Sequence, residues 1–215
     1  LSVQDYLERK KVAETSTKER IINTASFLFA EKGYRDATNA DICSASDVNI
    51  AAINYHFGSK AELYRVVYQE LVERASKIYP LDSGLAWNAS AEDRLKAFVR
   101  AVVNRLNDSG AIGCLHRIHM SEFFDSTGIL DDLISEFIEK ENKYMKASIK
   151  EVLGDDSKDK DVTLSAMSIL SQCIFITSEK IGDFIEPDSD EEMSISIEDI
   201  SDHIINMTMY GIKRG

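Results

Sequence analysis

Residues 38–60, TNADICSASDVNIAAINYHFGSK, carry hydrogen-bonding side chains at helical spacing. Asn49 and Asn54 offer a donor and an acceptor on one amide, the chemistry that reads base edges, adenine above all. Ala51 and Ala52 beside them are small enough to let a backbone approach a groove. Tyr55, His56 and Lys60 supply donors for phosphate oxygens, and Thr38 stands where a helix begins and its N–H groups face an anion. The basic residues Arg9, Lys10, Lys11, Lys18 and Arg20 are further candidates for backbone or minor-groove contacts.

A second set lies further along. His116, His119, Met120 and Phe123 recur at three- and four-residue steps, so one helix face carries two imidazoles and an apolar body. Such a face suits a small-molecule pocket, with Tyr68, Trp87, Tyr144 and Phe175 as further lining candidates. Cys114, His116, His119 and Glu122 also suggest metal. On a helix only His116, His119 and Glu122 converge, and two or three ligands without a second cluster make an incomplete site. No GxSxG, P-loop or GxGxxG pattern occurs, so no enzymatic activity and no cofactor is expected.

The elements that hold these residues read as helices throughout. Ile21, Ile22, Ala25, Leu28 and Phe29 repeat at helical period, as do Leu63, Val66, Val67 and Leu71, then Leu95, Phe98, Val99 and Val102. Gly33, Ser59 with Glu62, Ser90, Gly154 and Ser196 mark boundaries. The expectation is an all-α protein of about nine helices, at about 17–32, 39–46, 49–56, 59–78, 91–108, 113–125, 129–153, 160–185 and 196–213. Loops are expected at Pro80–Asn88, Asp108–Gly113, Gly154–Asp159 and the acidic Glu186–Glu192. Within 38–57, Ile42, Val48 and Ile53 are spaced to share one small core between two short helices, a helix-turn-helix pattern. Asp47 falls where the turn wants a left-handed residue, which Asp tolerates, and Asn49 is the N-cap of the second helix.

Length and charge bound the partners. The 215 residues are 44% hydrophobic and 29% charged, with 2 Pro and 10 Gly, enough for one large or two small helical cores. No apolar run approaches a bilayer span. The formal charge of -12 argues at first against nucleic acid. Its position removes that objection: residues 1–79 hold 11 basic and 11 acidic groups, and the whole surplus lies in 80–215, with 14 and 26. Cys43, Cys114 and Cys173 are odd in number and far apart, which fits a reducing cytoplasm. The N-terminus has charges where a signal peptide needs an apolar stretch, and the absence of Met at position 1 is expected of a processed or trimmed chain.

Residues 17–71, TKERIINTASFLFAEKGYRDATNADICSASDVNIAAINYHFGSKAELYRVVYQEL, resemble the DNA-binding domain of the TetR family of one-component transcriptional regulators. The likeness combines the helix ending in FAEKGY, the Thr38 entry, the Ile42–Val48 turn and the YHFGSKAELY junction into the fourth helix. It implies a three-helix DNA-binding domain within 1–60 and an effector-binding and dimerisation domain at 61–215. It also implies a homodimer on a palindromic operator, released when a small molecule binds. By resemblance Thr38, Tyr55, His56 and Lys60 match phosphate-contacting positions, and Asn49, Ala51, Ala52 and Asn54 lie on the recognition helix. Asp47 departs from the usual Gly, Asn49 from Ser or Thr, and Ala51 from Gly or Pro. GCLHRIHMSEFFDSTGILDDLISEFIEKENKYM is similar to C-terminal domains of efflux and stress regulators in the family. The last two helices, rich in Ile, Met and small residues, would then form the dimer interface. The alternative reading is a metal-responsive sensor or an enzyme using His116 and His119.

Overall fold

The computed structural model describes residues 16–86, 88–176 and 195–212. Over these residues the chain forms nine helices: α1 (Thr17–Asp36), α2 (Asn39–Ser46), α3 (Ile50–Phe57), α4 (Lys60–Ile78), α5 (Ala91–Leu106), α6 (Ala111–Phe124), α7 (Asp131–Leu153), α8 (Asp159–Ile176) and α9 (Ile197–Ile212). Among the described residues there is no strand, and the fold is all-α as the periodicity predicted. The acidic 186–192 segment, the expected end of the eighth helix at 177–185, Trp87 and residues Arg9, Lys10 and Lys11 lie outside the described residues.

The helix starts are written in local sequence. Ser16 and Glu19 close a reciprocal capping box at α1, and Thr38 and Asp41 do the same at α2. Asn49, Ser59, Ser90 and Ser196 each accept a backbone N–H three residues on. Two boundaries differ from expectation. Gly33 is non-helical at φ 75°, but helical turns resume beyond it to Asp36. α6 begins at Ala111, two residues before the expected start. Gly113 permits this, because a Cβ there would stand 1.9 Å from the Asp108 carbonyl oxygen.

Two compact units make up the chain. The first comprises residues 1–77 and 108–137. In it α1 packs on α2, α3 and α6, around Ile21, Phe29, Ile42, Ile53 and Leu63, all fully buried. The rings of Phe29, Tyr34 and Tyr64 cluster with centroids 4.7–6.1 Å apart. The second unit comprises 78–107 and 138–215. There α5 packs against α8 and α9 through Leu95, Phe98, Val99, Val162, Ile169 and Ile204. Buried Arg105 donates to the Tyr79 carbonyl and pairs with Glu141, so its charge is compensated where solvent is excluded.

Candidate nucleic-acid interface and effector face

The turn between α2 and α3 depends on one backbone conformation. Asp47 adopts φ 53°, ψ 53°, the left-handed conformation that Asp accepts more readily than most residues. Its N–H and that of Val48 both return to the Cys43 carbonyl, ending α2, and Asn49 then opens α3. α3 buries Ile53 and Phe57 against the first unit's core and leaves the opposite side open. Asn49, Ile50, Ala51, Asn54 and Tyr55 are exposed, and Ala52 and His56 are half-buried. Tyr55 is 85% exposed, an unusual position for a large aromatic ring, and meets His56 edge-on with centroids 5.0 Å apart. Ile50, 48% exposed, adds an apolar side chain to this surface.

Three of the residues singled out in the sequence have roles within the chain. The Thr38 hydroxyl accepts the Asp41 N–H at 3.0 Å, and the Asn49 Oδ1 accepts the Ala52 N–H at 3.0 Å. The Lys60 ammonium donates to the Arg35 carbonyl at 3.3 Å and lies 4.4 Å from the Tyr34 ring centroid. Partial burial there lowers its pKa, with Asp36 opposing. Lys60 therefore ties the start of α4 to the end of α1.

The α6 face is organised differently from its expected lining. The Tyr68 hydroxyl meets His119 Nε2 at 2.7 Å, with Phe137 5.2 Å from the imidazole centroid. Burial holds the His119 pKa down to about 4, with the nearby His116 adding to the effect. His116 and Met120 are half-buried, whereas Phe123 is 79% exposed and stands edge-on to the equally exposed Phe124. Tyr144 and Phe175 belong to the second unit. Tyr144 stacks on Phe98 at 6.3 Å, and Phe175 is exposed. Tyr68, His116, His119, Met120 and Phe123 belong to the first unit, and of these Tyr68 and His119 are in direct contact.

Glu122, offered by the sequence as a possible metal ligand, serves instead as a buried hydrogen-bond acceptor. It accepts hydrogen bonds from the Tyr64 hydroxyl at 2.9 Å and from the N–H and hydroxyl of Thr127 at 2.8 and 2.9 Å. Arg35 grips Asp125, and Arg65 grips Asp132 with two bonds of 2.7 Å while also donating to the Ile129 carbonyl. The α6–α7 connection is thus fastened to both α1 and α4. An acidic residue in a mixed helical pattern carries no signal of burial, so only packing reveals that Glu122 is buried against Tyr64 and Thr127.

Residues 21–67 match the family described as bacterial regulatory proteins, tetR family. Residues 91–212, more than half of the chain, match the C-terminal domain of the HTH-type transcriptional dual regulator CecR. The chain belongs to the TetR family of transcriptional regulators. Its helix-turn-helix is the DNA-binding element of that family. It is 25% identical over 138 residues to the probable HTH-type transcriptional regulator YttP of Bacillus subtilis strain 168, covering 64% of this chain and 65% of YttP. It is 42% identical over 48 residues to IcaR of Staphylococcus epidermidis, named as the negative transcriptional regulator of the biofilm operon icaADBC, covering 22% of this chain and 26% of IcaR. The chain thus matches less than two thirds of either relative's length. The fold is similar to that of AibR solved in complex with isovaleryl coenzyme A and operator DNA, at a TM-score of 0.66 and 17% identity over 89% of this chain and 97% of AibR.

In this TetR-family chain the metal alternative finds no constellation. Among the described residues no three His, Cys, Asp or Glu side chains gather where an ion could sit. His119 faces Tyr68, Glu122 faces Tyr64 and Thr127, and the Cys114 sulfur takes a contact from Arg117 at 3.2 Å. Among the described residues no helix is long and apolar enough to cross a membrane.

Proposed function

We propose that this regulator is a repressor that binds a palindromic operator as a homodimer and leaves it when a small molecule binds within residues 61–215. The observation that carries the reading is the open side of α3, where Asn49, Ile50, Ala51, Asn54 and Tyr55 are exposed while Ile53 and Phe57 anchor the helix. Small side chains allow close approach to a major groove, Asn54 reads a base edge, and Thr38, Tyr55, His56 and Lys60 take phosphates. The Lys60 ammonium would exchange the Arg35 carbonyl for a phosphate oxygen. IcaR, named as a negative regulator, supports repression, and AibR, solved with an acyl coenzyme A and DNA, supports a response to a small molecule. On this reading residues 1–60 bind DNA inside the cell and the rest of the chain senses and dimerises.

Two exposed surfaces support the second half of the reading. α8 exposes Leu164, Met167 and Phe175, and α9 exposes Met207 and Tyr210, an apolar area suited to a second copy. A twofold dimer brings two recognition helices to successive major grooves. The effector would act at the α6 face of Tyr68, His116, His119 and Met120. Because Tyr64 and Tyr68 of α4 are hydrogen-bonded to Glu122 and His119 of α6, displacement of α6 would move α4 and so the helix-turn-helix. A coupling of about 1 to 3 kcal/mol changes operator affinity about 5- to 150-fold.

The test uses the DNA immediately upstream of the gene, titrated by fluorescence anisotropy over a salt series. Lys60→Ala and Tyr55→Phe are expected to weaken specific and non-specific binding alike, whereas Asn54→Ala changes base preference by about 1 to 3 kcal/mol at one operator position. Base preference unmoved by Asn54→Ala would remove α3 as the reading helix.

A further inference from the structure

Gly33 divides α1. Its φ of 75° and ψ of 170° interrupt the helix, so the turn at residues 34–36 is not held by an unbroken α1 and depends on what its side chains touch. Tyr34 joins one side of that turn to the rings of Phe29 and Tyr64. Arg35 secures it elsewhere. The guanidinium takes both Asp125 oxygens, at 2.9 Å from Nε and 3.2 Å from Nη2, and Nη2 also donates to the Ser126 carbonyl at 3.2 Å. Both side chains are exposed, and a surface pair contributes little to stability, but the fork of an arginine on a carboxylate fixes orientation.

The carbonyl of the same residue is one of the orphan acceptors at the end of α1, and Lys60 Nζ donates to it at 3.3 Å. Lys60 therefore has two competing acceptors, this carbonyl in the free chain and a phosphate oxygen on DNA. On its other side the clamp leads to α6. Thr127, two residues beyond Asp125, donates its N–H and hydroxyl to Glu122. The backbone of α1 also runs close to α6, where a Cβ on Gly33 would stand 3.3 Å from the Ser121 hydroxyl oxygen.

We infer that Arg35 is a positioning residue for DNA binding: clamped to Asp125 and Ser126, it keeps its own carbonyl beside the Lys60 ammonium and holds that ammonium off the phosphate. The α6–α7 connection thereby sets how available Lys60 is, through the end of α1 and apart from the Tyr64 and Tyr68 links of α4. The inference rests on the proposed phosphate contact of Lys60, and the two are tested separately.

The first measurement uses no DNA. With the ammonium 4.4 Å from the Tyr34 ring centroid, the Lys60 ε protons lie in the ring current, and in the full chain labelled with carbon-13 lysine their NMR signal should stand apart from that of exposed Lys143. Loss of the signal in Lys60→Met assigns it. Asp125→Asn, and Arg35→Lys, which keeps the charge but lacks the fork, should each move it at least about half of the way to the Lys143 position. Binding is then followed by fluorescence anisotropy on the DNA upstream of the gene and on an unrelated duplex of equal length, because a phosphate contact acts on both. Each variant is expected to tighten binding about threefold or more in the parent and less than about 1.5-fold in Lys60→Met. A general gain from removing an acidic charge survives in Lys60→Met, so only the non-additive part reports the clamp. Equal tightening in both backgrounds, weaker binding, or a Lys60 signal unmoved in both variants overturns the inference and leaves the operator reading in place. A Lys60→Met protein that binds both duplexes as the parent does removes the phosphate contact, and the inference falls with it.

Discussion

A neutral imidazole at His119 depends on the walls around it. With a folded pKa of about 4 against an ordinary 6.5, the folded protein holds fewer protons than the unfolded chain between those values. Stability from this group is fully present above about pH 6.5 and is lost as pH falls toward 4, by on the order of 1 to 3 kcal/mol. Thermal midpoints measured from pH 7.5 to 4.5 should fall more in the parent protein than in His119→Gln, and equal slopes would contradict the assignment. Tyr64 offers a second check. Burial and the facing Glu122 carboxylate raise its pKa, so it remains a donor at any ordinary pH. Tyr64→Phe strips one donor from a buried carboxylate and should cost about 1 to 3 kcal/mol in chemical denaturation. A loss below about 0.5 kcal/mol would mean that Thr127 alone satisfies Glu122.

Between residue and molecule, the short helices depend on a few backbone positions. The left-handed Asp47 ends α2 and aims α3, at a conformational cost that glycine does not bear. Asp47→Gly is therefore expected to raise stability by a few tenths to about 1 kcal/mol, and Asp47→Val to lower it. Gly113 is the stricter case: a methyl group there meets the Asp108 carbonyl oxygen at 1.9 Å. Gly113→Ala should cost about 3 kcal/mol or more, since backbone rather than a flexible side chain must move. A Gly113→Ala protein that melts within 2 °C of the parent, a shift of about 1 kcal/mol or less at this size, would show that the α6 start is not so constrained. The caps at Thr38, Asn49, Ser59, Ser90 and Ser196 were legible because a cap depends on residues three apart in sequence. The early start of α6 was not, because a tolerated glycine in the first turn is decided by which carbonyl it approaches.

For the whole molecule, charge and assembly set how the proposed DNA binding responds to conditions. Cationic contacts from Lys60 alone in each protomer give a slope of log affinity against log salt of about -2, and Lys18 and Arg20 as well give about -5. A slope near -10 would contradict a binding mode that relies on geometry more than bulk charge. Met167→Glu with Phe175→Glu places charges on the exposed apolar face of α8 and is expected to yield a monomer by sedimentation, with operator affinity reduced at least tenfold. A dimer that survives both substitutions would move the interface elsewhere.

Helical period, capping pairs and the order of motifs are local properties, and the sequence alone determined them: the nine helices of the described residues, a helix-turn-helix at 39–57 and the family that carries it. The exposed residues of α3 followed as well, since an eight-residue helix with Ile53 and Phe57 inward leaves one side for solvent. The proposed effector face was only half legible. Spacing put His116, His119, Met120 and Phe123 on one broad side of α6, but burial varies across that side with what packs on it. His119 meets Tyr68 from α4, whereas Phe123 meets solvent. Lys60 reads in sequence as a free cation, and only the end of α1 beside it reveals an ammonium resting on a carbonyl and a ring. The buried Glu122, joined to Tyr64 across 58 residues of chain, was decided by tertiary structure alone. Nothing local records which distant hydroxyl offsets the loss of water around a carboxylate.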